Sequence, residues 1–174
     1  FAVGDLGTVL HLGASTPPAA STWIGEQTPS QARLNGVWGT AASDLWAVGD
    51  GGVALHRTAG GWTVVASNTT HDLNAIWGNA ANDAWAAGGD NAGHAVLLHW
   101  NGTAWSVAIN VPASAGELRA LFGRARTDVW AAGRGGTVLH FDGLAWSKLP
   151  PPSEPFVDLL GVSGDPRGNT VFVV

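Results

Sequence analysis

The sequence contains no cysteine, no methionine and no tyrosine. Without cysteine there can be no disulfide, no thiolate metal site and no thiol nucleophile. Lysine occurs once, at Lys148, beside seven arginines, and the formal net charge is −5. That balance leaves no basic footprint for nucleic acid. Charged residues make up only 12% of the chain, about half the roughly 25% usual in a soluble domain. No apolar run approaches the roughly 18 residues that a membrane-spanning helix needs. Phe1 is not an initiator methionine and no signal-peptide pattern follows it, which reads as a mature product or an excised piece. Missing cysteine fits an exported protein, and an extracellular or periplasmic setting is the expectation.

What the chain does have is glycine, at 25 residues, and tryptophan, at 10. A hydrophobic fraction of 45% opposes disorder. The 174 residues suffice for one ordinary domain or for several small modules sharing a core.

The tryptophans mark an internal repeat. DLWAVGDGGVALH runs from Asp44 to His56, and DVWAAGRGGTVLH from Asp128 to His140. FAVGDLGTVLH opens the chain, and Asp83–His99 is the same unit with four extra residues in its turn. Upstream of these lie LNGVWG at Leu34, LNAIWG at Leu73, LRALFG at Leu118 and LLGVSG at Leu159. Downstream come GGWT ending at Thr63, NGTAWS at Ser106 and DGLAWS at Ser147, with Trp23 as the counterpart in the first copy beyond an insertion at Pro17 and Pro18. Aligning Phe1, Trp46, Trp85, Trp130 and Phe172 gives periods of 45, 39, 45 and 42 residues.

Each period reads as four short strands. Leu-x-Gly-Val-Trp-Gly alternates apolar and small residues; a turn ending in Asp44, Asp83 or Asp128 follows. A very apolar strand leads into a glycine-rich turn suited to positive φ. A third strand ends in histidine, and a last strand follows the Asn101-Gly102 or Asp142-Gly143 turn. No stretch shows a sustained helical period. Units of this length and strand count are propeller blades. The expected fold is therefore all-β: a propeller of four-stranded antiparallel blades in about four repeats of 39–45 residues, either four-bladed or part of a larger ring. Residues 1–174 form one propeller domain or a fragment of one. Its blades are expected at 34–72, 73–117 and 118–158, with a composite of 159–174 and 1–33.

The run Leu-x-Gly-Val-x-Gly, then Trp-Ala-Val-Gly-Asp-Gly-Gly, then Gly-x-x-Trp, resembles the BNR or Asp-box-like propeller repeats. The resemblance is to the variety found in the photosystem II stability and assembly factor family and related bacterial exported proteins. It covers nearly all of the chain and bears on fold more than on function. The Asp-box itself is partly kept: Asp142, Gly143 and Trp146 match with a spacing one residue short, and Asp142 becomes Asn101 or Ala59 in other copies. A sialidase-like site would also want an arginine cluster and a tyrosine nucleophile, and tyrosine is absent.

Phe1-Ala2-Val3 and Phe172-Val173-Val174 both occupy the second-strand slot. Two closures are compatible with that phase: the ends share one blade, or further sequence or a second copy completes a larger ring. Exposed inner strands such as Val171–Val174 would be an aggregation hazard, so closure or self-association is the expectation.

His11, His56, His99 and His140 recur once per blade on the third strand, too far apart to share one metal ion. The expected role is a bond to backbone or to a turn carboxylate. Asp44, Asp83 and Asp128, with Asn169 in the fourth place, recur at a turn and read as architecture. His71 and His94 are loop residues without a partner pattern. The non-repeating acids, Glu26, Glu117 and Glu154 among them, form no defensible pair, so neither a catalytic constellation nor a cofactor or metal site is expected.

Trp62, Trp105 and Trp146, on the outermost strand, are the ligand-binding candidates, because aromatic faces suit sugar rings; the competing reading is packing between blades. Arg119, Arg124, Arg126 and Arg134 fall in one repeat and suggest either a contact with a protein or anion, or solvated turns. Asn68 and Asn101 head glycosylation sequons. The copies differ at Ala14–Arg33, Gly89–His94, Ile109–Glu117 and Pro150–Val157, where partner recognition is expected. The leading functional reading is a non-catalytic binding or scaffold module for a protein or neutral glycan. The alternatives are a repeat lectin with one sugar pocket per blade, an Asp-box hydrolase relative, and an excised or engineered fragment.

Overall fold

A computed structural model describes residues 1–13, 22–90, 92–150, 157–165, 168 and 170–174. Asn169, Glu154, Pro17 and Pro18 lie outside the described residues. The chain folds into antiparallel sheets that follow one another in sequence. The first holds β1 (Ala2–Val3), β2 (Val9–Leu12) and β3 (Trp23–Glu26). The second holds β4 (Leu34–Ala41), β5 (Asp44–Gly49), β6 (Ala54–Thr58) and β7 (Gly61–Val64). The third holds β8 (Asp72–Ala80), β9 (Asp83–Gly89), β10 (Ala95–Trp100) and β11 (Trp105–Val107). The fourth holds β12 (Leu118–Ala125), β13 (Asp128–Gly133), β14 (Thr137–Phe141) and β15 (Trp146–Lys148). The fifth is the hairpin of β16 (Val162–Gly164) and β17 (Val171–Val173).

Of the expected composite of 159–174 and 1–33, the described residues form two separately hydrogen-bonded sheets, β16–β17 and β1–β2–β3, with β1 and β17 both in the second-strand slot.

Hydrophobic clusters lie between sheets. One joins Trp46, Val48 and Ala54 of the second sheet to Leu73, Leu98 and Trp105 of the third. The next joins Trp85, Ala87 and Leu97 to Leu118, Leu139 and Trp146 of the fourth. Val9 meets Leu34 and Trp62 at one end of the series, and Ala132 meets Leu159 at the other. Strands such as β5, buried along Leu45–Gly49, are continuously apolar because both faces are covered.

Glycine enters where the first strand of one sheet meets the next. A Cβ on Gly78 would run into the Trp38 ring, and one on Gly123 into the Trp77 ring. Gly164 receives Phe122 in the same way. The final glycine of the Leu-x-Gly-Val-Trp-Gly pattern is thus the seat for the preceding blade's aromatic. The tight turns after β5 and β13 require the other glycines: Gly51 and Gly52 have φ of 65° and 75°, Gly135 and Gly136 of 61° and 67°.

Polar bonds tie the same junctions. Asn35 donates from Nδ2 to the Leu73 carbonyl at 3.1 Å and to Asp50 at 2.7 Å. Asn74 repeats this one sheet on, donating to the Leu118 carbonyl at 2.8 Å and to Glu117 at 3.0 Å. Between the first two sheets the tie is Glu26. It accepts from Arg57 Nε at 2.7 Å, Arg57 Nη2 at 2.9 Å and Trp62 Nε1 at 2.6 Å, while His11 Nδ1 lies 2.9 Å away. Removing this largely buried carboxylate strands Arg57 and Trp62. We predict that Glu26→Ala lowers stability by about 3 kcal/mol in chemical denaturation. Glu26→Gln, which keeps one acceptor, should cost less; equal stability of Glu26→Ala and the native chain would contradict the assignment.

Candidate functional site

The recurrent histidines and aspartates come together within the second, third and fourth sheets. His56 Nε2 is 2.8 Å from Asp44 Oδ1, His99 Nε2 is 2.7 Å from Asp83 Oδ1, and His140 Nε2 is 2.9 Å from Asp128 Oδ1. Cross-strand register sets each ring on a tryptophan: Trp46–His56 at 4.3 Å between centroids, Trp85–His99 at 4.4 Å and Trp130–His140 at 4.2 Å. In the first sheet Phe1 stands in the tryptophan slot beside His11, and Glu26 replaces the aspartate. The arrangement resembles an acid–base dyad, but it recurs as a strap holding strand to strand.

Burial raises the Asp44 carboxyl, but hydrogen bonds from His56 and Thr40 outweigh it and hold the group below the usual range. At Asp128 burial is likewise outweighed, by bonds from Arg124, His140 and Trp130. At Glu26 the bonds from Arg57 and Trp62 and the charge of Arg57 do the same.

Trp62, Trp105 and Trp146, the ligand-binding candidates, lie between the sheets. These residues are 8%, 1% and 5% exposed. Each packs on the preceding sheet: Trp105 stands edge-on to Trp46 at 5.2 Å and Trp146 edge-on to Trp85 at 5.2 Å, while Trp62 bonds Glu26. No ring face is left to stack on a sugar. Trp23 on β3, their counterpart, is 57% exposed.

The four arginines of the third period do not converge. Arg124 bonds Asp128 at 2.6 Å and the Gly168 carbonyl, at the end of the sheet where first and second strands turn. Arg126 sits in that turn. Arg119 and Arg134 lie toward the other end, 3.6 and 3.7 Å from Glu117. Arg134 also approaches Asp158 at 3.8 Å. Among the described residues no three of histidine, aspartate or glutamate group as a metal shell. Asn68 of one sequon is engaged: its Nδ2 donates to the Trp105 carbonyl at 2.8 Å.

Two larger cavities open at the end of the sheets that carries the second-to-third-strand turns and the links between sheets. One is a polar funnel of about 660 Å³ along the first strands, lined by Asn35, Asn74, Arg119, Asp50 and Asp72. Its polar groups are largely spent on the frame: the Asn35 and Asn74 bonds already given, and Asp72 accepting from the Gly51 amide at 2.8 Å. The other is a groove of about 910 Å³ between the second and third sheets. Val53, Val64 and Val65 form one side, and Val96, Leu97, Val107 and Val111 the other. Asp90 and Val111 bring to its rim two of the segments in which the copies differ, Gly89–His94 and Ile109–Glu117. Val64 and Val107 are 63% and 56% exposed, and Ile109, close by in sequence, 81%. The sequence marked those segments as variable but gave no sign that they enclose an apolar surface, because its two walls lie about 40 residues apart.

No family model matches the chain, and no curated protein matches it. Among solved structures it is similar to one described as YCF48 bound to D1 peptide, with a TM-score of 0.57 and 15% identity. The match covers 84% of this chain and 48% of that one, so the chain spans about half that structure's length. It establishes the propeller-like, all-β architecture.

The carboxylate–histidine straps set a pH dependence. Glu26, Asp44 and Asp128 titrate lower in the folded chain than in the unfolded one, so the native state binds fewer protons. Their stabilisation is fully present above the ordinary carboxylate range near about 4, and is lost as pH falls through the depressed folded values. Thermal unfolding followed from about pH 7 to about pH 3, across the ordinary carboxylate range, should show a flat midpoint and then a fall. Asp128→Asn should lower the neutral plateau and shrink the acid drop. An unchanged drop in that variant would contradict the strap.

Proposed function

We propose that this chain is a non-catalytic, protein-binding propeller module that receives an extended, aliphatic segment of a partner in the groove between the second and third sheets. The observation that carries the reading is the groove's composition: an exposed valine-lined surface rimmed by segments that depart from the repeat. An apolar groove with a few polar groups at its rim is the ordinary form of a binding site. The groups that would suggest catalysis, the Asp–His pairs, recur in three sheets and serve each sheet's own cohesion. A propeller of similar architecture is described with a bound peptide, which supports peptide recognition as something such a frame can do.

A segment docked there would bury Val64 and Val107, the two exposed valines that face the opening from opposite walls. A charge at either position would have to be desolvated without a partner. The test is selection of short peptides from a random displayed library on the native chain, with affinity measured by fluorescence anisotropy. The selected peptides are expected to be aliphatic-rich and to lose at least tenfold in affinity with Val64→Asp or Val107→Asp. Ser147→Asp, on the outermost strand of the fourth sheet, should leave affinity unchanged. Peptides that bind Val107→Asp as well as the native chain, or a library that yields no binder, would overturn the reading.

A further inference from the structure

The opposite end of the sheets holds a different departure from the repeat. There the turn from β8 to β9, the turn from β10 to β11 and the neighbouring turn from β12 to β13 enclose a small cavity of about 220 Å³. Its walls include Asn79, Asn82, Asn101, Arg126 and the strap residues Asp83 and His99. The same place between the second and third sheets would be framed by Thr40, Ser43, Thr58 and Ala81, read from the aligned copies. Three amides and a guanidinium therefore replace small side chains at one junction.

The strap carboxylate also lacks its second hydrogen bond at this junction. In the second sheet Thr40 donates its hydroxyl to Asp44 Oδ2, and in the fourth Arg124 Nε donates to Asp128 Oδ2. Asn79 stands at the equivalent position, four residues before Asp83, yet makes no such bond, and the buried Asp83 Oδ2 has no partner. Among the described residues, neither the Asn82 amide nor the Arg126 guanidinium meets a protein partner, and Asn101 uses only its Oδ1, accepting from the Thr103 and Ala104 amides at 2.9 and 3.0 Å. Exposed amide groups and a guanidinium thus line one small space without being used by the fold.

From this we infer that the cavity is a binding site for a neutral polyol, a single hexopyranose ring at the end of a glycan. Amides offer a donor and an acceptor side by side, which matches vicinal hydroxyls. Asp83 disfavours an anion and Arg126 disfavours a cation, so an uncharged ligand with many hydroxyls suits the pair. The space is small, about 220 Å³ and open to solvent, which suits a single terminal ring rather than a longer chain. Binding would not use aromatic stacking, because the tryptophans beneath are consumed between the sheets. The site is distinct from the peptide groove, which lies at the other end of the sheets, so the two readings stand or fall separately.

The test is saturation-transfer NMR on the native chain with methyl glucoside, methyl galactoside and methyl mannoside, alongside a titration with inorganic phosphate. At least one glycoside should show transfer at millimolar concentration. Asn82→Ala and Arg126→Ala should each weaken it at least tenfold while the thermal midpoint stays within the native range. Ser43→Ala, at the equivalent position of the second sheet, should leave it intact. No transfer from any glycoside, or transfer undiminished in Asn82→Ala, overturns the proposal. Phosphate binding in the absence of glycoside binding overturns it as well, in favour of an anion site on Arg126.

Discussion

The seat of an aromatic ring on a bare glycine is the contact on which the rest of this structure depends. Trp38 lies on Gly78, Trp77 on Gly123 and Phe122 on Gly164. Each pair joins the first strand of one sheet to the first strand of the next, where the sheets come closest. A side chain at the glycine would push the sheets apart and undo the packing further out. That outer packing is a second layer of the same kind, in which Trp46 receives Trp105 and Trp85 receives Trp146, edge to face. Wide indoles fill the gap as the sheets diverge, and glycines permit the approach where they converge.

Polar groups follow the same division between sheets. Asn35 and Asn74 bond the next sheet's backbone, and Glu26 gathers donors from both sides of the first junction. Within the second, third and fourth sheets the aspartate–histidine strap joins the start of the second strand to the end of the third. These bonds account for most of the recurring polar residues. What remains for recognition is what does not recur: the valine-lined groove rimmed by Gly89–His94 and Ile109–Glu117, and the amide-rich cavity at the opposite end.

The repeat was legible in the sequence because each copy must solve the same packing problem with nearly the same residues. Strand order, the glycine turns and the structural role of the histidines and aspartates all follow from it. Partners across a junction were not legible. Trp62, Trp105 and Trp146 look like free outer-strand aromatics along the chain, and only the neighbouring sheet shows that they are buried. Glu26 has no counterpart in the other copies, so nothing in the pattern signals that it links His11, Arg57 and Trp62. The groove is likewise a property of two segments distant in sequence. The phase of Phe1 and Phe172 was visible, whereas the formation of two separate sheets from the end segments depends on hydrogen-bond pairing that phase alone does not decide.

The measurement that bears most directly on the ring-on-glycine contact is a double-mutant cycle between Gly78 and Trp38, read by chemical denaturation. Gly78→Ala should be strongly destabilising in the native chain, because the added methyl meets the Trp38 ring. In a Trp38→Leu background the same substitution should cost much less, giving a coupling of at least about 1 kcal/mol. Additive effects of the two substitutions would contradict the account.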